Sequence, residues 1–212
     1  MTANSNQENL TENTILSEKE AEHLAAEIKR TLNKEEKPIA DKTLIKKIIA
    51  GLSDHRGMLR RTFSESLGLL GKEVLPELRE VLLKSENVTA RRAAAKTLRL
   101  VGEPAALPYL LEAVLNDHDP VVQGSSVGSM VAFGEDAIEY LIKVLENPES
   151  SEMQCGLASW GMAFIGTNGA TSLKKAASSP NAKVRASAIA ALGDQIQSLS
   201  DKSTKTLLSN AL

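Results

Sequence analysis

The chain has 212 residues, of which 42% are hydrophobic but only 3% aromatic, and its formal net charge is −2. A core rich in Leu, Ile, Val and Ala is typical of packed helices and disfavours an all-β sandwich. The single cysteine, Cys155, excludes an intramolecular disulfide. The polar N-terminus lacks the apolar segment of a signal peptide, and no apolar run reaches the ~20 residues of a membrane span. These features predict a soluble, cytoplasmic protein without membrane insertion.

The small net charge conceals a strong alternation along the chain. Residues 42–99 carry 13 basic and 6 acidic side chains, a net of +7, whereas residues 100–166 carry 1 and 10, a net of −9. A basic block of this size fits an acidic protein surface, a carboxylate-bearing ligand or phosphate. The acidic block, and the lack of aromatic residues around the basic one, disfavour nucleic acid as the main partner.

The N-terminal region divides into a tail and a helix. Residues 1–16 are rich in Asn, Gln, Thr and Glu and are predicted to be disordered. Residues 17–38 begin with a capping-box pattern at Ser17 and Glu20 and continue with apolar residues every fourth position. We therefore predict an N-terminal helix followed by a linker.

From residue 41 to residue 212, a unit of about 31 residues recurs along the chain. Each unit has a first helix with apolar residues at helical spacing, a turn rich in Asp, Asn, Ser and Pro, and a second helix rich in small residues. The second-helix segments are LRRTFSESLGLLG (59–71), ARRAAAKTLRLVG (90–102), VQGSSVGSMVAFG (122–134), QCGLASWGMAFIG (154–166) and VRASAIAALGDQI (184–196). This period predicts an all-α, right-handed solenoid of about five helical hairpins rather than a globular catalytic domain.

Four of these second helices close on a glycine, at positions 71, 102, 134 and 166. A glycine after the last helical residue adopts the left-handed conformation that ends a helix, so these glycines are predicted to be structural. The last segment, SLSDKSTKTLLSNAL (198–212), is predicted to begin another helix and to cap the stack.

No motif of a known catalytic or nucleotide-binding site is present. The sequence lacks G-x-S-x-G, a P-loop, G-x-G-x-x-G, H-E-x-x-H and any pair of cysteines. His55 and His118 lie in equivalent turns two units apart, which is too far for a shared metal ion. We therefore predict no metal site, and no catalytic residue is assigned.

The repeats resemble HEAT repeats. The resemblance rests on a first helix ending in Leu-Leu or Val-Leu, a turn of Asp, Asn or Pro, and a Val-Arg or Arg-Arg entry into an Ala-rich helix. The segments KVRASAIAALGD (183–194) and RRAAAKTLRLVGEPAALPYLLEAV (91–114) are close to the family pattern. The resemblance covers residues 41–196 and implies stacked hairpins whose second helices line a groove.

A narrower resemblance involves the segment from 100 to 166. The run LVGEPAALPYLLEAVLNDHDPVVQGSSVGSMVAFGEDAIEYLIKVLENP (100–148), followed by GLASWGMAFIG (156–166), is similar to the cyanobacterial HEAT-repeat proteins of the phycobilisome. That group includes the E- and F-type phycobilin lyase subunits and the degradation protein NblB. The Trp-x-x-Ala-Phe-Ile-Gly ending and the overall length point to the NblB-like branch.

This resemblance implies a role in antenna chromophore handling, either bilin attachment or bilin detachment during phycobilisome degradation. The implied ligand is a phycobilin, an open-chain tetrapyrrole, rather than a permanently bound cofactor. The implied partners are phycobiliprotein subunits and a second HEAT-repeat lyase subunit, at the thylakoid-attached phycobilisome. The alternative left open by the residues is a protein–protein interaction scaffold without catalysis.

Comparison of the copies selects the candidate groove residues. Arg60, Arg91 and Gln123 share the second position of the second-helix segment, and the next position holds Arg61 and Arg92. Arginines at the second position are expected to bond turn carbonyls and acidic residues of adjacent repeats. Arg61 and Arg92 are expected to face the groove and to hold carboxylates of a bilin or a partner. All five are candidates for ligand or partner binding.

Trp160 is the only tryptophan and stands where the other copies have Glu, Lys, Gly and Ala. It is either a groove aromatic that stacks on a planar ligand or a core residue opposite the helix containing Gly124 and Gly128. Cys155 replaces the arginine of other copies, and we expect it to be a buried, unreactive thiol.

Overall fold

A computed structural model describes residues 17–33 and 42–210. The predicted tail, 1–16, and most of the predicted linker lie outside these ranges. Within them the regular structure consists of helices, and no strand occurs. The all-α class is therefore confirmed.

Eleven α-helices make up the described chain. They are α1 (Glu18–Asn33), α2 (Lys42–Ala50), α3 (Gly57–Leu70), α4 (Leu75–Lys84), α5 (Val88–Val101), α6 (Leu107–Asn116), α7 (Pro120–Met130), α8 (Ile138–Glu146), α9 (Glu152–Phe164), α10 (Thr167–Ala176) and α11 (Ala182–Asn210). Helices α2 to α11 form the five predicted hairpins, each consisting of a first and a second helix. Helix α1 precedes them and begins with the expected capping box, in which the Ser17 amide donates to Glu20 Oε2 at 2.9 Å.

The hairpins stack in chain order as two layers of helices. In the second-helix layer, α3 packs on α5, α5 on α7, α7 on α9 and α9 on α11. In the first-helix layer, α2 packs on α4, α4 on α6 and α6 on α8. Helix α1 contacts α3 and so extends the second-helix layer at its N-terminal end.

The core lies between the two layers and continues from one hairpin to the next. Both layers supply large buried side chains, such as Leu78 from a first helix and Phe63 from a second helix, and the second helices add small ones such as Ala94. Small residues also set the distance between second helices: a Cβ on Gly68 of α3 would lie 2.9 Å from the Leu100 Cβ of α5. Short side chains therefore bring the second helices close enough to form one continuous surface.

The four closing glycines all have positive φ, as predicted. Gly102 is left-handed, with φ 71° and ψ 12°. Gly71, Gly134 and Gly166 differ from that prediction, because their ψ angles are −145°, −130° and −146°. They lie near a region of backbone conformation that essentially only glycine occupies. The chain thus reverses into the next hairpin without a full left-handed cap.

The last second helix continues past the point where the other copies end. Helix α11 runs for 29 residues from Ala182 to Asn210. The C-terminal segment therefore extends this helix, and the prediction of a separate helix is wrong. The cause is visible in the sequence, since Ile196 stands where the other copies have their closing glycine.

Replacing Gly166 with alanine should lower the free energy of unfolding by about 1–3 kcal/mol, because a side chain at φ 87° is strained. Gly128→Ala is the matched control, since a Cβ there would have no atom within 4 Å. Within helix α7, that change should raise the free energy of unfolding by about 0.5–1 kcal/mol. Urea unfolding followed by circular dichroism measures the free energy of unfolding of both variants. Changes of the same sign would contradict the structural role assigned to Gly166.

Candidate functional site

Most side chains at the second position of the second-helix segments form hydrogen bonds with the preceding turns. Here Arg60, Arg91, Gln123 and Arg185 each donate a hydrogen bond to the backbone carbonyl six residues earlier. These bonds satisfy carbonyls at the point where the chain turns between helices. The structure therefore places Arg60, Arg91 and Gln123 in the turns and not among the groove side chains, contrary to their candidacy as ligand residues.

Arg91 also joins two hairpins. Its Nε and Nη2 donate to the Asp117 carboxylate at 2.7 and 3.1 Å, and its Nη1 donates to the carbonyls of Ser85 and Glu86 at 2.9 and 3.3 Å. Both charged side chains are only 5% exposed. A bidentate, buried pair of this kind fixes one turn against the next. This confirms the expectation that such an arginine bonds turn carbonyls and an acidic residue of the adjacent repeat.

Replacing Arg91 with alanine should lower the free energy of unfolding by about 3–5 kcal/mol, because Asp117 would remain buried without its cation. Arg92→Ala is the control on the adjacent, exposed position and should change it by no more than about 0.5 kcal/mol. Denaturant unfolding distinguishes the two. Equal losses would show that Arg91 has no special structural role.

One face of each second helix remains open to solvent, and together these faces form the groove. In α3 this face comprises Met58, Arg61, Glu65 and Leu69, all exposed. Residues spaced in this way lie on one side of a helix. The two central positions hold, in successive second helices, Arg61 and Glu65, Arg92 and Lys96, Gly124 and Gly128, Gly156 and Trp160, and Ala186 and Ala190. The groove thus changes from basic at α5, through glycine at α7, to aromatic at α9.

Large apolar side chains flank these central positions. Near the start of the second helices they are Met58, Val121 and Met153, and near the end they are Leu69, Leu100 and Phe164. All six are between 43% and 74% exposed. Because apolar surface recurs here at equivalent positions, it indicates a contact surface for a ligand or partner rather than scattered exposed residues.

The groove contains a cavity of about 800 Å³ between α9 and α11. Its wall includes Glu152, Gly156, Trp160, Ala163 and Phe164 from α9, and Lys183, Ala186, Ser187, Ala190, Ala191, Asp194 and Gln195 from α11. The Trp160 and Phe164 ring centroids are 4.6 Å apart, with their planes at 48°. Trp160 is 43% exposed, so it lies on the groove and is not a core residue. A cavity of this volume suits a small organic ligand.

Three ionisable side chains line the cavity, and one of them has a structural contact. The Lys183 ammonium donates to the carbonyls of Ser150 and Pro148, which ties α11 to the preceding turn. The carboxylates of Glu152 and Asp194 form no ion pair with the other described residues. They can accept hydrogen bonds from N–H groups of a ligand.

Glycines lower the floor of the groove beside this cavity. A Cβ at Gly128 or Gly156 would have no atom within 4 Å, so helix packing does not require glycine at either position. Gly161, also in α9, is different, because a Cβ there would lie 2.8 Å from the Val127 side chain. Glycine within a helix costs about 1 kcal/mol relative to alanine. The groove glycines instead leave room for another molecule to approach the backbone.

Arg61 and Arg92 lie on the exposed face, as the sequence predicts. Arg61 Nε donates to Glu65 Oε1 at 2.7 Å, whereas Arg92 forms no ion pair within the described ranges. The structure does not bring either arginine to Trp160, because α7 lies between α5 and α9. The candidate residues therefore divide between two separate parts of the groove.

Cys155 is fully buried in α9, as predicted. Burial raises the pKa of its thiol, the Lys183 ammonium opposes that effect and the Glu152 carboxylate adds to it. The thiol therefore stays protonated near neutral pH and is shielded from reagents.

Iodoacetamide should label Cys155 slowly in the folded protein and rapidly in urea, because both burial and protonation suppress thiolate attack. Mass spectrometry of the alkylated chain measures the two rates, with Cys155→Ala as the unlabelled control. Equally fast labelling of the native protein would contradict the burial of this thiol.

Several groove residues are missed by sequence reasoning. Phe164, Lys96 and Asp194 occupy the exposed face, but the comparison of the copies does not select them as groove residues. Phe164 follows Trp160 by one helical turn, so aligning the copies by helix face would have found it. The cavity itself depends on the distance between α9 and α11, which no local sequence pattern predicts.

The described parts of the chain contain neither a candidate metal site nor a helix that could span a membrane. No group of three or more His, Cys, Asp or Glu side chains there could hold a metal ion. No helix in the same ranges has the length and apolar character needed to cross a membrane.

Comparison with known proteins gives a family and two relatives. A family model described as HEAT repeats matches residues 45–131 and, overlapping them, 75–160. The chain is 44% identical over 209 residues to the bilin biosynthesis protein MpeU of Synechococcus sp. (strain WH8020), covering 99% of this chain and 70% of MpeU. It is 32% identical over 124 residues to the uncharacterized phycocyanin operon protein Z of Pseudanabaena tenuis (strain PCC 7409), covering 55% and 61% of the two chains.

A solved structure shares the fold. The complex of CpcE and CpcF of phycocyanin lyase from Nostoc sp. PCC7120 matches with a TM-score of 0.51 and 20% identity, covering 72% of this chain and 99% of the matched chain. At this identity the likeness concerns the architecture alone. It confirms the predicted solenoid.

Proposed function

This chain belongs to the HEAT-repeat family of phycobilisome lyase-like proteins, and we propose that it binds an open-chain tetrapyrrole in its groove while acting on phycobiliproteins. The names of the two relatives, one a bilin biosynthesis protein and the other a phycocyanin operon protein, support this proposal. The first name, a bilin biosynthesis protein, favours chromophore attachment or conversion over breakdown. The narrower NblB-like, degradative role stays a prediction.

The aromatic cavity is the observation that carries the proposal. An open-chain tetrapyrrole has flat conjugated rings, pyrrole N–H groups and carboxylate side chains. Trp160 and Phe164 offer ring faces for stacking, and the neighbouring glycines let a flat molecule lie close to the helix backbone. The carboxylates of Glu152 and Asp194 can accept hydrogen bonds from the pyrrole N–H groups.

The basic part of the groove is too distant to contact a ring stacked on Trp160. Packed helices lie about 8–10 Å apart, so α5 is separated from α9 by roughly 16–20 Å. We therefore assign the cavity to the chromophore rings. Arg61 and Arg92, also proposed as binding residues, belong to the part of the groove that meets a carboxylate-bearing partner.

The proposed partners are a phycobiliprotein subunit and a second HEAT-repeat subunit. The matched structure is a complex of two phycocyanin lyase chains, which supports a paired arrangement. The open groove also supports a protein partner, because its six large apolar side chains extend well beyond the cavity.

Adding phycocyanobilin should quench the fluorescence of Trp160 and shift the visible absorption band of the bilin. Trp160→Ala, followed by absorbance, should weaken binding at least tenfold because stacking on the indole is lost. Ile189→Ala is the control, since it removes an exposed apolar side chain of α11 outside the cavity wall. Equal affinity of both variants for phycocyanobilin would show that the cavity is not the bilin site.

A second measurement distinguishes attachment of the bilin from its removal. The protein is incubated with free bilin and apo-phycocyanin, or with holo-phycocyanin alone, and covalent bilin is measured on the denatured subunit. A gain in the first mixture supports attachment, and a loss in the second supports removal. If the bilin and phycocyanin both fail to bind, the scaffold alternative replaces the proposed function.

A further inference from the structure

Three cations on α5 share an exposed face and form no ion pair within the described part of the chain. Arg92, Lys96 and Arg99 follow one another at spacings of four and three, which places them on one side of the helix. None of the three forms an ion pair with the described residues. Several other cations do form such pairs, namely Arg56, Arg61, Arg79, Lys84, Arg91 and Lys143.

The cluster is unfavourable for the isolated protein. Partial burial lowers the pKa of Lys96, and the charges of Arg92, Arg99 and Arg60 lower it further. Like charges one helical turn apart repel each other in a helix. Folding therefore brings these cations together against their mutual repulsion. An unneutralised cluster on an open face is typical of a surface that becomes neutralised in a complex.

The surroundings favour a protein over a small anion or nucleic acid. Leu100 and Leu69 lie exposed beside the cluster, and a mixture of arginine and apolar side chains is typical of protein interfaces. Residues 100–166, which begin in the last turn of α5, carry a net charge of −9, and this negative block disfavours binding of a phosphate backbone by the protein. The separation from the cavity excludes one ligand ring from touching both parts.

We propose that Arg92, Lys96 and Arg99 dock an acidic surface patch of the phycobiliprotein subunit whose chromophore occupies the cavity. This inference rests on the proposed function and gives the two parts of the groove different roles in binding. The basic part selects the protein, and the aromatic part selects the pigment. Because the contact consists of exposed ion pairs, its affinity should fall as salt increases.

The test compares two charge-reversed variants for two binding partners. Arg92→Glu/Lys96→Glu alters the cluster, and Lys174→Glu/Lys175→Glu makes the same charge change on exposed positions of α10. Phycocyanin affinity is measured by biolayer interferometry at low and high salt, and phycocyanobilin affinity by Trp160 quenching. The cluster variant should lose at least tenfold in phycocyanin affinity and most of its salt dependence, with bilin affinity unchanged. The α10 variant should stay within twofold of the unmodified protein for both.

A stability measurement checks that the effect is not a folding defect. Lys96→Gln removes the central charge of the cluster, so it should raise Tm by about 1–2 °C while still weakening phycocyanin binding. A lowered Tm would contradict the repulsion on which the inference depends.

The remaining outcomes overturn the inference in distinguishable ways. Unchanged phycocyanin affinity in the cluster variant would show that the cluster does not dock this partner, even if the unmodified protein binds both molecules. Loss of bilin binding together with phycocyanin binding would assign the cluster to the chromophore. A salt-sensitive duplex DNA complex abolished by the cluster variant would assign it to nucleic acid. Failure of the unmodified protein to bind either molecule would remove the proposed function itself.

Discussion

Close packing between small-residue second helices is the contact on which the whole structure depends. Large residues of both layers fill the core, and glycine and alanine of the second helices allow α3, α5, α7, α9 and α11 to lie side by side. Hydrogen bonds from one side-chain position to the turn carbonyls fix where α3, α5, α7 and α11 begin. The buried pair of Arg91 and Asp117 fixes one hairpin against the next. These contacts hold every second helix in the same orientation. Equivalent residues of successive copies therefore face the same groove.

Because the second helices are equivalent, the side chains at a few repeated positions determine the chemistry of the groove. Since every copy presents the same two central positions, substitutions there alter the surface without disturbing the core. Basic residues occupy them in α5, glycines in α7, and a glycine and Trp160 in α9. The result is a graded surface on a uniform scaffold, with a cationic part for carboxylates of a protein and an aromatic cavity for a flat ligand. A family built from one repeat can thus serve different partners by changing a few exposed side chains.

Local patterns predicted the hairpins, the closing glycines and the burial of Cys155 because each depends on a few neighbouring residues. The same patterns contained the reason for the long α11, where Ile196 replaces a closing glycine. Reasoning from the copies also separated the two arginines of each pair, since Arg60 and Arg91 bond the turns while Arg61 and Arg92 face solvent. The structure places Arg60, Arg91 and Gln123 in the turns, which sequence position alone does not reveal because it does not show which way a side chain points at a helix start.

The sequence by itself determined the repeat, its period, the helical class and the family, because periodicity and capping are properties of short segments. Only the tertiary structure decided that Trp160 and Phe164 border an open cavity with α11, that Gly128 and Gly156 have free space above them, and that Arg92, Lys96 and Arg99 stand without carboxylate partners among the described residues. These properties depend on distances between helices far apart in the chain. Such distances are set by the summed packing of all the hairpins, and no single repeat contains them.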